Sequence, residues 1–314
     1  MLKSEDAVLK TVQDDDNFSQ TQDDFYQRSY LHTNESYISS PISLKKISNQ
    51  INENYEDRIY VKDIYDSLNY IGKPIINTQL YEFTCHENNE KYLARKDSLD
   101  NINKECYFLN KLEHKNILNW DRYIIDDSNT YILYENCGNL TLKEYLKQKK
   151  KLPEYEVRFI ITELVNLLKY LKSKSVIHRN LQLSNILVTK KGRIKVMGFE
   201  SAVVDNNLVE EHNLVDCLEY DFVKTPEMMQ VDDLNQYKER FTFSYETDLW
   251  VVGSIVCNLL IGVFPLIDSK TNIYNYLKSI KNISSEAADC LKRLLEPDPK
   301  KRQKLNLIFL LPFF

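Results

Sequence analysis

The first sixty residues or so contain no sustained hydrophobic period. They are rich in Asp, Ser, Asn, Gln and Tyr, with acidic runs at 14–16 and 23–24. Such a stretch buries too little apolar surface to offset the entropy of ordering. We therefore predict that 1–62 is an acidic polar segment, mostly disordered, serving either as a solvated tail or as a docking or phosphorylation segment. A short helix around 59–68 is predicted to lead into the folded part.

The pattern changes to short alternating runs between Tyr70 and Lys96. Apolar positions alternate with polar ones, and a polar turn at 87–89 divides the runs, which is typical of strands joined by tight connections. Next, Ile102, Cys106 and Leu109 recur at helical spacing with Glu105 beside them. We expect a small sheet with one helix.

A long amphipathic helix is predicted in the second half of the chain. Its apolar stripe begins at Val157 and continues through Leu171, and Pro153 stands just ahead of it, where a helix commonly starts.

Composition narrows the function classes. With 314 residues, 43% of them apolar, the chain can bury a large core in one large or two modest domains. A net charge of -5 with scattered lysines argues against nucleic acid as a partner. The six cysteines form no C-x-x-C pair, so neither zinc nor a disulfide framework is suggested. No apolar run approaches the roughly 18 to 20 residues of a membrane span. We expect a soluble intracellular protein, cytoplasmic or nuclear, with no membrane partner.

The stretch 176–202 carries the candidate chemistry. It reads VIHRNLQLSNILVTKKGRIKVMGFESA, and its frame resembles the H-R-D-L-K-x-x-N catalytic loop and D-F-G metal loop of eukaryotic protein kinases. The resemblance extends over about 66–314, and YEFT at 81–84 is close to the polo-like kinases. It implies an α+β bilobal fold over 63–314. The small lobe, 63–137, would hold a five-stranded antiparallel sheet and an αC helix, and the larger lobe, 138–314, would be mainly helical. The chain ends with that lobe, so we expect no polo boxes.

Three positions of this frame differ from the family's catalytic residues. Asn180 stands at the catalytic Asp, Gln182 at the lysine that contacts the transferred phosphoryl group, and Gly198 at the Asp that holds magnesium. Loss of a general base alone costs about 10² to 10⁴ in rate. Of the family's glycine-rich loop only Gly72 remains, and Pro74 offers no backbone donor. The resemblance therefore indicates impaired phosphoryl transfer.

At other positions that contact nucleotide in the family, this sequence carries residues that could still make such contacts. The candidates are Gly72, Lys96, Glu105, Glu135, Cys137 and Asn185. Lys96 and Glu105 match the family's ion pair, which would either contact nucleotide or only hold the αC helix in place. Asn185 is the one candidate metal ligand, with Glu200 as an alternative rescue ligand. Because Tyr134 is a bulky gatekeeper and a hard cation prefers carboxylates, we expect no required cofactor, weak or absent ATP binding and no magnesium.

The residues that organise the family's scaffold are present. In the family, His178 would pack in the core, Asp248 would accept hydrogen bonds from the catalytic-loop backbone, and Glu227 would pair with Arg302. Asp216 falls where polo-like kinases carry their activating threonine. We predict that it contacts Arg179, with Glu219 as the fallback partner; the alternative is a solvated acidic loop.

These observations predict a pseudokinase that acts as a scaffold or allosteric regulator by binding a protein, such as an active kinase or its substrate. Two alternatives remain: a serine/threonine kinase with residual ATP-dependent transfer, and a nucleotide-free interaction module.

Overall fold

The computed structural model describes residues 59–62, 69–76, 78–126, 129–205, 225–228, 243–262 and 273–314. The compact unit runs from Asp57 to Phe314. The predicted disorder of residues 1–58 lies outside the described residues.

An antiparallel sheet of six strands forms the small lobe, in the order β1-β2-β3-β4-β6-β5. The strands are β1 (Ile59–Lys62), β2 (Asn69–Pro74), β3 (Leu80–Cys85), β4 (Lys91–Asp97), β5 (Trp120–Asp126) and β6 (Asn129–Tyr134). The sheet thus has one strand beyond the expected five.

The extra strand is β1, which pairs with β2 from Ile59 opposite Gly72 to Lys62 opposite Asn69. The helix predicted to begin here is therefore wrong at Ile59–Lys62. The sequence Ile-Tyr-Val-Lys is β-branched and aromatic, which favours strand, and β2 offers a free edge for pairing. The sheet begins before the predicted boundary at residue 63.

One face of this sheet is an aromatic cluster. Tyr70, Phe83, Ala94, Tyr131 and Leu133 are all buried in it. Because side chains alternate between the two faces of a strand, the placement of Ala94 in this cluster sends the next residue of β4 to the opposite face.

Helix α1 (Leu99–Leu109) follows β4 directly and packs on that opposite face. Ser98 caps it by accepting a hydrogen bond from the backbone N–H of Asn101. Its buried residues include Ile102, Glu105 and Cys106, as the helical spacing predicted. Helix α1 also packs against the short 3-10 helix Phe199–Ser201 of the metal loop, which brings Glu105 to the candidate site.

The large lobe is mainly helical within the described ranges. Its helices are α2 (Leu142–Lys149), α3 (Glu154–Ser173), α4 (Tyr245–Ile261), α5 (Ile273–Ser279) and α6 (Ser285–Leu294), with a 3-10 helix at Leu305–Leu310. Helix α3 begins directly after Pro153, as predicted. Helix α4 is buried around nearly its whole circumference and forms the centre of this lobe. The α+β bilobal arrangement is confirmed.

Short strands hold the candidate chemistry between the lobes. They are β7 (Leu140–Thr141), β8 (Val176–Ile177), β9 (Ile186–Val188), β10 (Ile194–Val196) and β11 (Val203–Val204). Strands β9 and β10 form a hairpin, and β8 pairs with β11. The catalytic loop (178–185) and the metal loop (197–202) are thereby fixed at both ends. Within the described ranges, no helix combines the length and apolar character needed to cross a bilayer.

Candidate functional site

The catalytic-loop backbone is anchored to α4. The N–H groups of His178 and Arg179 donate to Asp248, over 2.9 Å to Oδ2 and 3.0 Å to Oδ1. Burial raises the pKa of Asp248 to about 6, although these two hydrogen bonds and Arg179 oppose the rise. The expected role of Asp248 as an acceptor for the loop backbone is confirmed.

His178 packs in the core below this loop. It is fully buried, and its ring centroid lies 4.5 Å from that of Phe199. Burial lowers the pKa of His178 to about 4, and its Nδ1 accepts a hydrogen bond from the N–H of Asn180 at 3.2 Å. The side chain is therefore neutral at physiological pH and serves as a packing residue, as the resemblance implied.

Glu227 and Arg302 form the second predicted contact of the scaffold. Nη1 and Nη2 of Arg302 donate to the two carboxylate oxygens of Glu227 at 3.0 and 2.9 Å. Arg302 is buried and also donates to the carbonyl oxygens of Glu246 and Glu296. This pair ties the residue after Pro226 to the end of the large lobe, so the prediction is confirmed.

Arg179 is buried, and its backbone N–H donates to Asp248. Its guanidinium lies over the ring of Phe243, 4.1 Å from the centroid. Its predicted partners Asp216 and Glu219 lie outside the described residues, so their contact with Arg179 stays a prediction.

Arg95, and not Lys96, pairs with Glu105. Nη2 of Arg95 lies 2.5 Å from Oε2 of Glu105, whereas Lys96 is exposed on the other side of β4. The predicted Lys96 pair is therefore wrong. The resemblance to the family's ion pair suggested it, but Ala94 faces the aromatic cluster, so Arg95 is the residue that faces α1. The alternation along β4 was the signal that could have identified it.

Arg95 also holds a second carboxylate, Glu200 of the metal loop. Its Nη2 lies 2.9 Å from Oε2 of Glu200 and 3.4 Å from Oδ2 of Asp97. Arg95, Glu105 and Glu200 are all buried. Burial disfavours the charged guanidinium, but the surrounding negative charge outweighs it and holds the pKa of Arg95 well above its ordinary value. The Arg95 guanidinium therefore stays positively charged, and it is surrounded by carboxylates of the protein.

Glu105 joins three elements through its two oxygens. Oε1 accepts the backbone N–H of Gly198 at 2.8 Å and that of Phe199 at 3.3 Å, while Oε2 accepts from Arg95. Burial raises the pKa of Glu105, and Arg95 offsets this only in part because Glu200 adds a second negative charge. Helix α1, β4 and the metal loop are thus held together by one side chain.

Asn180, which replaces the catalytic Asp, is bonded to Glu200. Its Nδ2 donates to Oε1 of Glu200 at 2.7 Å, and its Oδ1 accepts from Gln182 at 3.0 Å. Asn185 donates through Nδ2 to the carbonyl oxygen of Asn180 at 2.9 Å. Burial raises the pKa of Glu200, but the charge and hydrogen bond of Arg95 outweigh it, so this pKa lies below its ordinary value. Sequence reasoning considered Glu200 only as a metal ligand and missed these contacts.

The hinge residues make contacts of their own. Oε1 of Glu135 accepts from the N–H of Asn119 at 3.1 Å and from Nζ of Lys195 at 2.7 Å. The N–H of Cys137 donates to the carbonyl oxygen of Glu135 at 3.1 Å. These contacts fix the linker between the lobes.

Two further candidate positions lie in the small-lobe sheet. Gly72 lies within β2, opposite Phe83 of β3. Tyr134, the last residue of β6, is fully buried, and burial together with Glu105 raises its pKa well above the ordinary value. Its ring thus adds bulk beside the charged side chains of Arg95, Glu105 and Glu200.

Gly198 is required by its own conformation and by Asn185. Its φ is +90°, and a Cβ would lie 2.6 Å from Nδ2 of Asn185, which the carbonyl oxygen of Asn180 holds in place. Aspartate here would adopt a disfavoured backbone conformation and displace that amide.

We expect Gly198→Asp to lower the free energy of unfolding by about 2 to 3 kcal/mol, measured by urea denaturation. Gly192→Asp is the matched control: Gly192 has φ +73° but nothing within 4 Å of its Cβ, so it carries the backbone cost without the contact. Equal losses in the two variants would contradict the role of Asn185.

A sequence model described as the protein kinase domain matches residues 82–314. The chain therefore belongs to the protein kinase superfamily, as the motifs of 176–202 indicated.

Curated relatives carry serine/threonine kinase names. "Probable serine/threonine-protein kinase CCRP1" of Zea mays is 30% identical over 70% of this chain and 35% of its own length. "Cell cycle serine/threonine-protein kinase CDC5/MSD2" of Saccharomyces cerevisiae is 34% identical over 63% and 28%. "Serine/threonine-protein kinase PLK2" of Mus musculus is 27% identical over 74% and 35%. The chain thus spans about a third of the length of these relatives, and the expected likeness to polo-like kinases is confirmed.

Proposed function

We propose that this protein is a pseudokinase that acts as a scaffold or allosteric regulator by binding another protein. The observation that carries the proposal is the buried cluster of Arg95, Glu105, Glu200 and Asn180. In this cluster, the side chains that line the expected ATP site form hydrogen bonds and ion pairs with each other.

Magnesium does not fit these residues as they are arranged. Gly198 has no side-chain ligand atom, and Asn185 offers only the neutral amide oxygen Oδ1, since its Nδ2 donates to the carbonyl oxygen of Asn180. Both oxygens of Glu200 already accept hydrogen bonds, from Arg95 and Asn180. A hard cation requires several oxygen ligands, so it would have to break these contacts. We propose that the chain requires no metal.

ATP finds few free partners in the same cleft. Arg95 is already shared between two carboxylates, and an incoming phosphate would meet their negative charge. Pro74, at the end of β2, offers no backbone donor to a phosphate. We therefore propose weak or absent nucleotide binding that does not depend on magnesium.

A serine/threonine kinase with residual transfer is the second candidate. The names of the relatives favour it, and Glu200 places a carboxylate in the metal loop that could reach a cation if it left Arg95. A nucleotide-free interaction module would share every contact described here and would differ only in binding no ATP at all.

Phosphate transfer and thermal shift separate these readings. We expect purified protein to transfer no radiolabel from ATP to itself or to a generic protein substrate, with or without magnesium. We expect little or no ATP-dependent rise in melting temperature, because a ligand stabilises only the state that binds it.

The matched variants are Glu200→Gln, which changes the cluster, and Lys96→Met, which changes an exposed neighbour. Transfer that persists through purification, is lost in Glu200→Gln and is kept in Lys96→Met would establish residual kinase activity. Transfer that is unchanged in both variants would identify a contaminating kinase.

A further inference from the structure

We propose that Glu200 is an internal anionic ligand of Arg95 that occupies the place of a nucleotide phosphate and thereby excludes nucleotide from the cleft. This inference rests on the proposed function and identifies the residue responsible for it.

The position of Arg95 identifies the place that Glu200 occupies. In protein kinases, the cation that pairs with the αC glutamate also contacts the α- and β-phosphates of ATP. Arg95 holds that position here, because it lies on β4 and pairs with Glu105 of α1. Besides Glu105, Arg95 contacts the carboxylate of Glu200, 2.9 Å from Nη2, and more distantly that of Asp97.

Glu200 is held as firmly as a bound ligand would be. Oε2 accepts from Arg95, Oε1 accepts from Nδ2 of Asn180 at 2.7 Å, and the residue is only 5% exposed. Because the carboxylate is attached to the chain, it competes with any free anion without a cost in translational entropy. A phosphate would have to displace the Glu200 carboxylate and would then lie beside the negative charges of Glu105 and Asp97.

The donors around Glu200 amount to a small anion site. Nη2 of Arg95 and Nδ2 of Asn180 both point to its oxygens. Nε of Arg95 is buried and has no acceptor among the described residues. Truncating Glu200 would therefore leave two hydrogen-bond donors, Nη2 of Arg95 and Nδ2 of Asn180, around the vacated volume.

Glu105 and Asp97 limit the affinity of that site. Glu105 stays paired with Arg95, and Asp97 lies 3.4 Å from Nη2 with its side chain 18% exposed. Arg95 therefore remains partly neutralised after Glu200 is removed. We expect rescue by anions to be weak but specific, and strongest for anions that can bind several donors at once.

The experiment uses the full chain and three variants. Glu200→Ala vacates the volume. Glu200→Gln is the matched control, since it removes the charge but keeps the volume and an oxygen acceptor. Glu200→Ala combined with Arg95→Met removes the cation as well. The melting temperature of each is measured against sodium formate, pyrophosphate and ATP, at constant ionic strength and without divalent metal.

We expect Glu200→Ala to melt below the wild type and to regain stability with each of the three anions. Its affinity for ATP should exceed that of the wild type by roughly tenfold or more, because one like charge has been removed from beside the phosphates. Glu200→Gln should respond less, and the double variant should not respond.

Two outcomes would overturn the inference. One is a folded Glu200→Ala variant that responds to no anion, and the other is rescue by formate without any response to ATP. Should Glu200→Ala fail to fold, Glu200→Gln carries the test, and ATP must then stabilise it more than it stabilises the wild type. If the wild type itself transfers phosphate, the proposed function fails. If wild type and variants are all silent toward ATP, the proposed function stands and this inference fails.

Discussion

Replacing Arg95 by methionine will lower the free energy of unfolding by about 3 to 5 kcal/mol, the usual cost of breaking a buried ion pair by removing one partner. The change leaves Glu105 and Glu200 buried side by side without their cation. Urea denaturation followed by circular dichroism measures the loss.

The matched control is Lys96→Met, the next residue on the same strand. Lys96 is exposed, so its removal should change stability by less than about 0.5 kcal/mol. The deficit of Arg95→Met should shrink as the pH falls, because the two unpaired carboxylates can then take up protons and lose their repulsion. Equal losses at Arg95 and Lys96, or a larger loss at Lys96, would contradict the assignment of the pair.

Replacing Arg302 by methionine will also cost about 3 to 5 kcal/mol. Arg302 is 1% exposed and donates two hydrogen bonds to Glu227 and others to backbone carbonyl oxygens, including that of Glu246. Its loss leaves the Glu227 carboxylate with only the weak hydrogen bond from the Thr247 hydroxyl, and leaves the carbonyl oxygens of Glu246 and Glu296 without the Arg302 donor. The free energy of unfolding from urea denaturation is again the measurement.

Arg293→Met provides the comparison for this site. Arg293 pairs with Asp289 on α6 at 2.8 Å, but both side chains are at least 40% exposed. Such surface pairs contribute about 0.5 kcal/mol or less. A loss at Arg302 no larger than at Arg293 would show that the buried bidentate pair does not stabilise the large lobe.

The scaffold of the site was predictable from short sequence patterns. His178, Asp248, Glu227 and Arg302 were identified from local motifs, and each makes the expected contact. These predictions succeeded because the resemblance placed each residue at a position of the family scaffold, and the side chains that make those contacts are kept in this sequence.

The cleft was less predictable. A one-residue change in the assignment of β4 moves a side chain to the other face of the sheet, and this is why Lys96 was predicted at the position that Arg95 fills. Glu200 was recognised as a carboxylate in the metal loop, but its contact with Arg95 joins residues far apart in the sequence. No local pattern encodes such a contact.

By itself, the sequence determined that this is a kinase fold whose catalytic positions are occupied by Asn180, Gln182 and Gly198, because side-chain chemistry at those positions follows directly from residue identity. Only the tertiary structure decided which cation meets Glu105, and that Glu200 meets the same cation. Strand register and the packing of α1 against the metal loop set both contacts, and these depend on how distant segments bury their apolar faces together.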